Sequence, residues 1–100
     1  MPEVQHVVLI KFKQDITEDQ IVDVYAQLEE LKEWIPGILS FAGGPYSSPE
    51  GLNQGYTHGF SMIFESIGAR DDYLPHPKHE QVKAAILPLI DSVIAFDFEL

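Results

Sequence analysis

His6-Val7-Val8-Leu9-Ile10-Lys11-Phe12 is the stretch that decides how this chain folds. It is dense in β-branched residues and too short for a helix with its own caps, so it is a strand. Side chains alternate across a strand, which puts His6, Val8, Ile10 and Phe12 on one face and Val7 and Leu9 on the other. Both faces are apolar, so both need cover. Downstream, Thr17-Glu18-Asp19-Gln20 fits a capping box. Ile21, Val24, Tyr25, Leu28, Leu31 and Ile35 then recur at three- and four-residue intervals. That spacing predicts an amphipathic helix whose outward side, with Glu29, Glu30 and Glu33, is a solvated surface. Pro36-Gly37 stops it. Ile38 to Ala42 is a second strand, ending in the turn-forming run from Gly43 to Gly51.

From Tyr56 to Glu65 the chain alternates again as a third strand, with His58, Phe60, Met62 and Phe64 on its core face. A short helical piece covers Ile67 to Tyr73. His76-Pro77 then marks a new helix start, with His76 as the cap, and Val82, Ile86, Leu87 and Ile90 follow at helical spacing. Pro88 kinks or ends that helix, and Val93 to Phe98 is a fourth strand. The order β-α-β-β-α-α-β predicts an α+β, ferredoxin-like fold: a four-stranded antiparallel sheet with its helices on one face. The bare face carries Val7, Leu9 and Ile63, together with an alternation of strand four such as Val93 and Ala95. Such a patch is too large for an ordinary monomer. A homodimer joined through the open sheet face is therefore expected, its two sheets packing as a dimeric α+β barrel.

One hundred residues cannot hold two independent cores, so residues 1–100 are expected to form a single domain. Six Lys plus Arg against sixteen Asp plus Glu give a charge of -10, which excludes a phosphate-binding field and makes nucleic acid an unexpected partner. Zero Cys excludes disulfides, thiolate metal sites and a cysteine nucleophile. His76 and His79 have ligand spacing but no third ligand nearby, so no metal is expected. The amino-terminal residues lack a charged segment followed by an apolar run, and no apolar stretch of about 18 residues occurs. A cytoplasmic protein with no membrane partner is expected.

Several landmarks carry a family resemblance: His6, the Pro36-Gly37 break, Gly55-Tyr56-Thr57-His58, Phe64-Glu65-Ser66 and, most specifically, Tyr73-Leu74-Pro75-His76-Pro77-Lys78-His79. With them the chain resembles the stress-responsive A/B-barrel (Dabb) family of small dimeric barrels. The best-defined chemistry of that family is in plant polyketide cyclases of the olivetolic acid cyclase type, which close a linear poly-β-keto chain by aldol condensation without cofactor or metal. What the resemblance implies here is an acid/base pair at Tyr73 and His79. It also implies that an aromatic lining the cyclase pocket is replaced by Leu28, with Tyr25 one turn earlier.

Topology decides which polar groups converge. In this sheet the end of strand three lies beside the start of strand one, where the crossover carrying Tyr73 and His79 begins. His6, Tyr73 and His79 are thus expected to meet, and His58 to sit several residues away at roughly 3.3 Å per residue. His79, at a helix start, should stay neutral and act as a base, with Tyr73 stabilising an enolate. His6 would orient His79 or bind a carboxylate. Phe60, Met62, Phe64, Tyr25 and Ile10 are the expected walls of a cavity for a small apolar or keto ligand. The competing readings are that His6 and His58 bond only to backbone, that Tyr73 is a core residue, and that the dimer is a non-enzymatic stress or binding protein. A cofactorless monooxygenase is a third.

Overall fold

The computed structural model describes residues 2–100. Its elements are β1 (Val4–Phe12), α1 (Glu18–Trp34), β2 (Ile38–Pro45), β3 (His58–Phe64), α2 (Ile67–Tyr73), α3 (Pro77–Ile86) and β4 (Ile90–Glu99), with a single 3-10 turn at Leu87–Leu89. The strands make one antiparallel sheet in the order β2-β3-β1-β4, the ferredoxin-like fold. The capping box forms as the sequence predicts: the Thr17 hydroxyl accepts from the Gln20 N–H, and the Gln20 side chain accepts from the Thr17 N–H. After α1, Gly37 takes a φ of +91°, and a Cβ there would lie 2.6 Å from that of Ala69. Only glycine lets the chain turn so close to α2. Among the described residues no helix is long and apolar enough to cross a membrane.

Three boundaries differ from the sequence reading. β2 runs on through Gly43, Gly44 and Pro45, which pair with Phe60, Gly59 and His58. It is an edge strand, where the missing N–H of proline removes little. β3 begins at His58 instead of Tyr56, because the Tyr56 N–H is taken by the Asn53 carbonyl in a turn. β4 begins at Ile90, directly after the turn that Pro88 helps to form.

The two faces of β4 are also exchanged relative to expectation. Val93 lies opposite Ile10 and Ala95 opposite Val8, so both belong to the helix side. Ile94, Phe96 and Phe98 instead share the open face with Val7, Leu9 and Ile63. β4 is apolar at both alternations, and a slip of one residue inverts which set faces the core, so pattern alone could not choose. The open face is apolar in either case, with Phe96 65% exposed.

On the other face Val4, Ile10, Met62 and Phe64 meet Val24, Leu28 and Leu31 of α1 in the core. β1, β4 and α2 are joined there by charge. Asp97 takes a hydrogen bond of 2.6 Å from His6 Nδ1 on one oxygen and one of 2.8 Å from Arg70 Nη1 on the other. Burial opposes ionisation of Asp97, but the bonds from His6 and Arg70 outweigh it and hold the carboxyl below its usual range.

Gly37→Ala should lower the unfolding free energy by about 1–3 kcal/mol, because it adds both strain at positive φ and an overlap. Chemical denaturation measures this, and an unchanged midpoint would contradict the close approach. Asp97→Asn should cost about 1–3 kcal/mol at neutral pH. Since the folded carboxyl ionises below its ordinary value of 3.8, its contribution is complete above that pH and is lost as pH falls through the lower folded value. The gap between variant and wild type should therefore narrow below that pH in thermal melts. A gap that widens on acidification would refute the network.

Candidate active site

The link between α2 and α3 is only Leu74-Pro75-His76, which forces the end of one helix against the start of the next. Ser66 caps α2 by accepting from the Ala69 N–H, and Tyr73, its last residue, is 1% exposed. His76 caps α3 through Nδ1, which accepts from the Lys78 N–H, and Pro77 takes the first helical position. His79 then stands in the first turn with its ring stacked on that of Tyr73, centroids 4.1 Å apart and planes 28° from parallel. The His6 ring meets Tyr73 edge-on with centroids 6.0 Å apart. The strand order brings His6, Tyr73 and His79 together.

These three groups line a cavity of about 280 Å³ under α3. Its apolar wall includes Val8, Ile10, Leu28, Phe60, Val82 and Ile86. Val93 and Ala95 complete it on β4, the edge strand, where both remain exposed and the cavity opens. The wall differs from the sequence reading at three residues, Met62, Phe64 and Tyr25, while His58 stands apart as expected. Met62 and Phe64 are sealed in the core at 0% exposure and do not reach the cavity. Tyr25 turns away to donate its hydroxyl to the carbonyls of Gly44 and Gly59, clamping α1 onto β2 and β3. His58 lies opposite the Ile10 end of β1, against the Phe12 ring and the Thr57 hydroxyl, and lines a separate groove with Tyr25 and Tyr46.

Burial is the largest influence on His79 and moves its pKa below the ordinary 6.5, with Lys83 and His6 adding to it and the Leu74 carbonyl and Glu80 opposing. Desolvation, which the sequence reading did not invoke, is thus a leading reason for a neutral imidazole. Its Nδ1–H donates to the Leu74 carbonyl at 3.0 Å, which leaves Nε2 with a free lone pair. Burial also raises the Tyr73 pKa well above the usual 10.0, with the Asp97 charge adding to it, so the side chain stays a phenol. Its hydroxyl has no hydrogen-bond partner among the described residues, and it is not a sealed orphan. His6, 8% exposed, bonds to Asp97 and not to backbone; an ionised carboxylate can only accept, so Nδ1 carries the hydrogen. The arrangement presents a neutral base and a neutral hydroxyl donor at the end of an apolar space. Among the described residues no three His, Asp or Glu side chains are placed to hold a metal ion.

Sequence reasoning passed over Asp97, Arg70 and Lys83. The signal for Asp97 was its place as the one charged residue between Phe96 and Phe98. Arg70 sits one turn before Tyr73 on α2, and Lys83 one turn after His79 on α3.

Comparison with known proteins bears on this arrangement. A stress-response A/B barrel domain-containing protein of Arabidopsis thaliana is 37% identical over 95 residues, covering 94% of this chain and 83% of its own. Olivetolic acid cyclase of Cannabis sativa is 28% identical over 95 residues, covering 95% of this chain and 94% of its own. Among solved structures, a dimeric ferredoxin-like protein of unknown function from Jannaschia sp. superposes with a TM-score of 0.86 at 25% identity, covering 98% of this chain and 99% of that one. The family model for the stress responsive A/B barrel domain matches residues 4–100, from the first residue of β1 to the end of the chain, and the protein belongs to that family.

Proposed function

We propose that this protein is a homodimeric, cofactor-independent acid/base enzyme that acts on a small keto substrate in the manner of an aldol cyclase. The observation that carries this reading is the cavity itself: apolar walls ending in a neutral imidazole stacked on a phenol. The likeness to olivetolic acid cyclase over nearly the whole chain supports it.

In the proposed step, Nε2 of His79 takes a proton from a carbon flanked by carbonyls. The electron pair of that C–H bond moves onto the carbonyl oxygen, and the Tyr73 hydroxyl donates a hydrogen bond to the enolate oxygen. The enolate carbon then attacks a second carbonyl of the same folded chain. A carbon–carbon bond forms, and the new alkoxide recovers the proton from His79. The apolar wall excludes water and holds the two carbons near each other. Burial keeps His79 unprotonated near neutral pH and keeps Tyr73 a donor.

The dimer is proposed from the open sheet face, where Leu9, Ile94, Phe96 and Phe98 stand 40–65% exposed in a single chain. A second copy packed across a twofold axis covers them. The dimeric assembly of the Jannaschia structure supports this.

His79→Ala should abolish turnover of a cyclisable β-keto substrate and Tyr73→Phe should reduce it, each by on the order of 10²-fold or more, with circular dichroism unchanged. His58→Ala should cost clearly less. Equal activity in all three variants would leave the cavity as a ligand-binding site only. The rate should also fall on acidification with a midpoint below 6.5, because protonation removes the base; a midpoint above 6.5 would contradict a half-buried, desolvated His79. Sedimentation should report twice the chain mass, and Leu9→Asp should dissociate the assembly by placing like charges at its centre. A monomeric wild type would overturn the dimer.

A further inference from the structure

The wall of the cavity carries a charge that the acid/base reading does not use. Among the described residues, Lys83 is the one lysine, arginine, aspartate or glutamate in the cavity wall. It lies on α3 four residues beyond His79, so the two share a helix face about 6 Å apart along the axis. The next turn on that face is Ile86, buried at 5% exposure. Lys83 therefore stands between His79 and Ile86 on the helix face that lines the cavity, and its ammonium reaches the Glu80 carboxylate. Its side chain is 42% exposed.

The ammonium has one partner, Glu80 on the preceding turn, at 2.9 Å, and that carboxylate is itself 53% exposed. An exposed pair of this kind is weak, and the lysine can exchange it for an incoming anion without leaving a buried charge behind. The chain as a whole carries a charge of -10, so it does not collect anions by its general field. Any preference of the cavity for an anionic ligand must be local, and Lys83 is the local source. The cavity volume, near the lower end of the usual range for ligand sites, limits the ligand to a small molecule.

We propose that the cavity binds a molecule with an apolar body and a carboxylate head, and that Lys83 in the cavity wall selects the head while the body lies against Val82, Ile86 and Phe60. This rests on the acid/base reading for its chemistry, where it narrows the substrate class to keto acids, with the carboxylate held one helical turn from the base. As a binding statement it is independent of turnover.

The test uses octanoate and octanamide, which share a chain and nearly share a shape but differ in charge. Binding to the intact wild-type protein is measured by calorimetry at neutral pH, with NMR of the His79 and Tyr73 side chains to locate the ligand. Octanoate should bind at least about tenfold more tightly than octanamide and should shift both side chains. Lys83→Met, which keeps the apolar stem, should abolish the preference while leaving octanamide affinity unchanged, and Lys83→Arg should restore it. His79→Ala should keep the preference, which separates failure of the catalytic reading from failure of this one. Equal affinities in the wild type, no binding of either probe, shifts confined to other residues, or a preference that survives Lys83→Met would each overturn the proposal.

Discussion

A strand that is apolar on both faces and flanked on both edges has to be covered above and below, and β1 imposes that requirement on everything around it. Its hydrogen-bonding edges are filled by β3 and β4, which fixes the sheet order. Its His6, Val8 and Ile10 face is roofed by helices, and its Val7 and Leu9 face is left for something else. The cavity is a by-product of how the roof is laid. α1 packs on β2 and α3, α2 lies near β3, and the edge strand β4 has no helix of its own. The space over Val93 and Ala95 remains open for that reason.

The chemistry of the site follows from burial acting the same way on two unlike groups. Removing water disfavours the imidazolium of His79 and the phenolate of Tyr73 alike. The pair is thereby held in the one combination of protonation states that can both accept and donate a hydrogen. The Leu74 carbonyl adds direction by fixing which imidazole nitrogen is free. Asp97, below its usual pKa, remains charged, yet its oxygens are committed to His6 and Arg70.

Much of this was legible in residue order. The meeting of His6, Tyr73 and His79 needs only the strand order and the position of the crossover, and the cap at His76 needs only the proline after it. The partner of His6 was not legible, because Val93, Ile94, Ala95 and Phe96 are apolar at both alternations and do not reveal which way Asp97 points. Only the pairing of Asp97 with His6 across β1 and β4 resolves it. Tyr25 was misread for a related reason. Helical spacing put it on the inward face, but a tyrosine there can end at a backbone carbonyl as readily as in a cavity. Gly43 and Gly44, which punctuate a turn in most sequences, are strand residues here because they lie on the edge.

The site is built from contacts of very different reach along the chain. Tyr73 and His79 are six residues apart, so one turn between two short helices is enough to stack them. His6 and Asp97 are separated by 91 residues, and their bond forms only when β4 closes against β1. A growing chain holds the base and the hydroxyl early, in water, without a wall. Their environment becomes dry, and their protonation states become fixed, in the same event that completes the sheet.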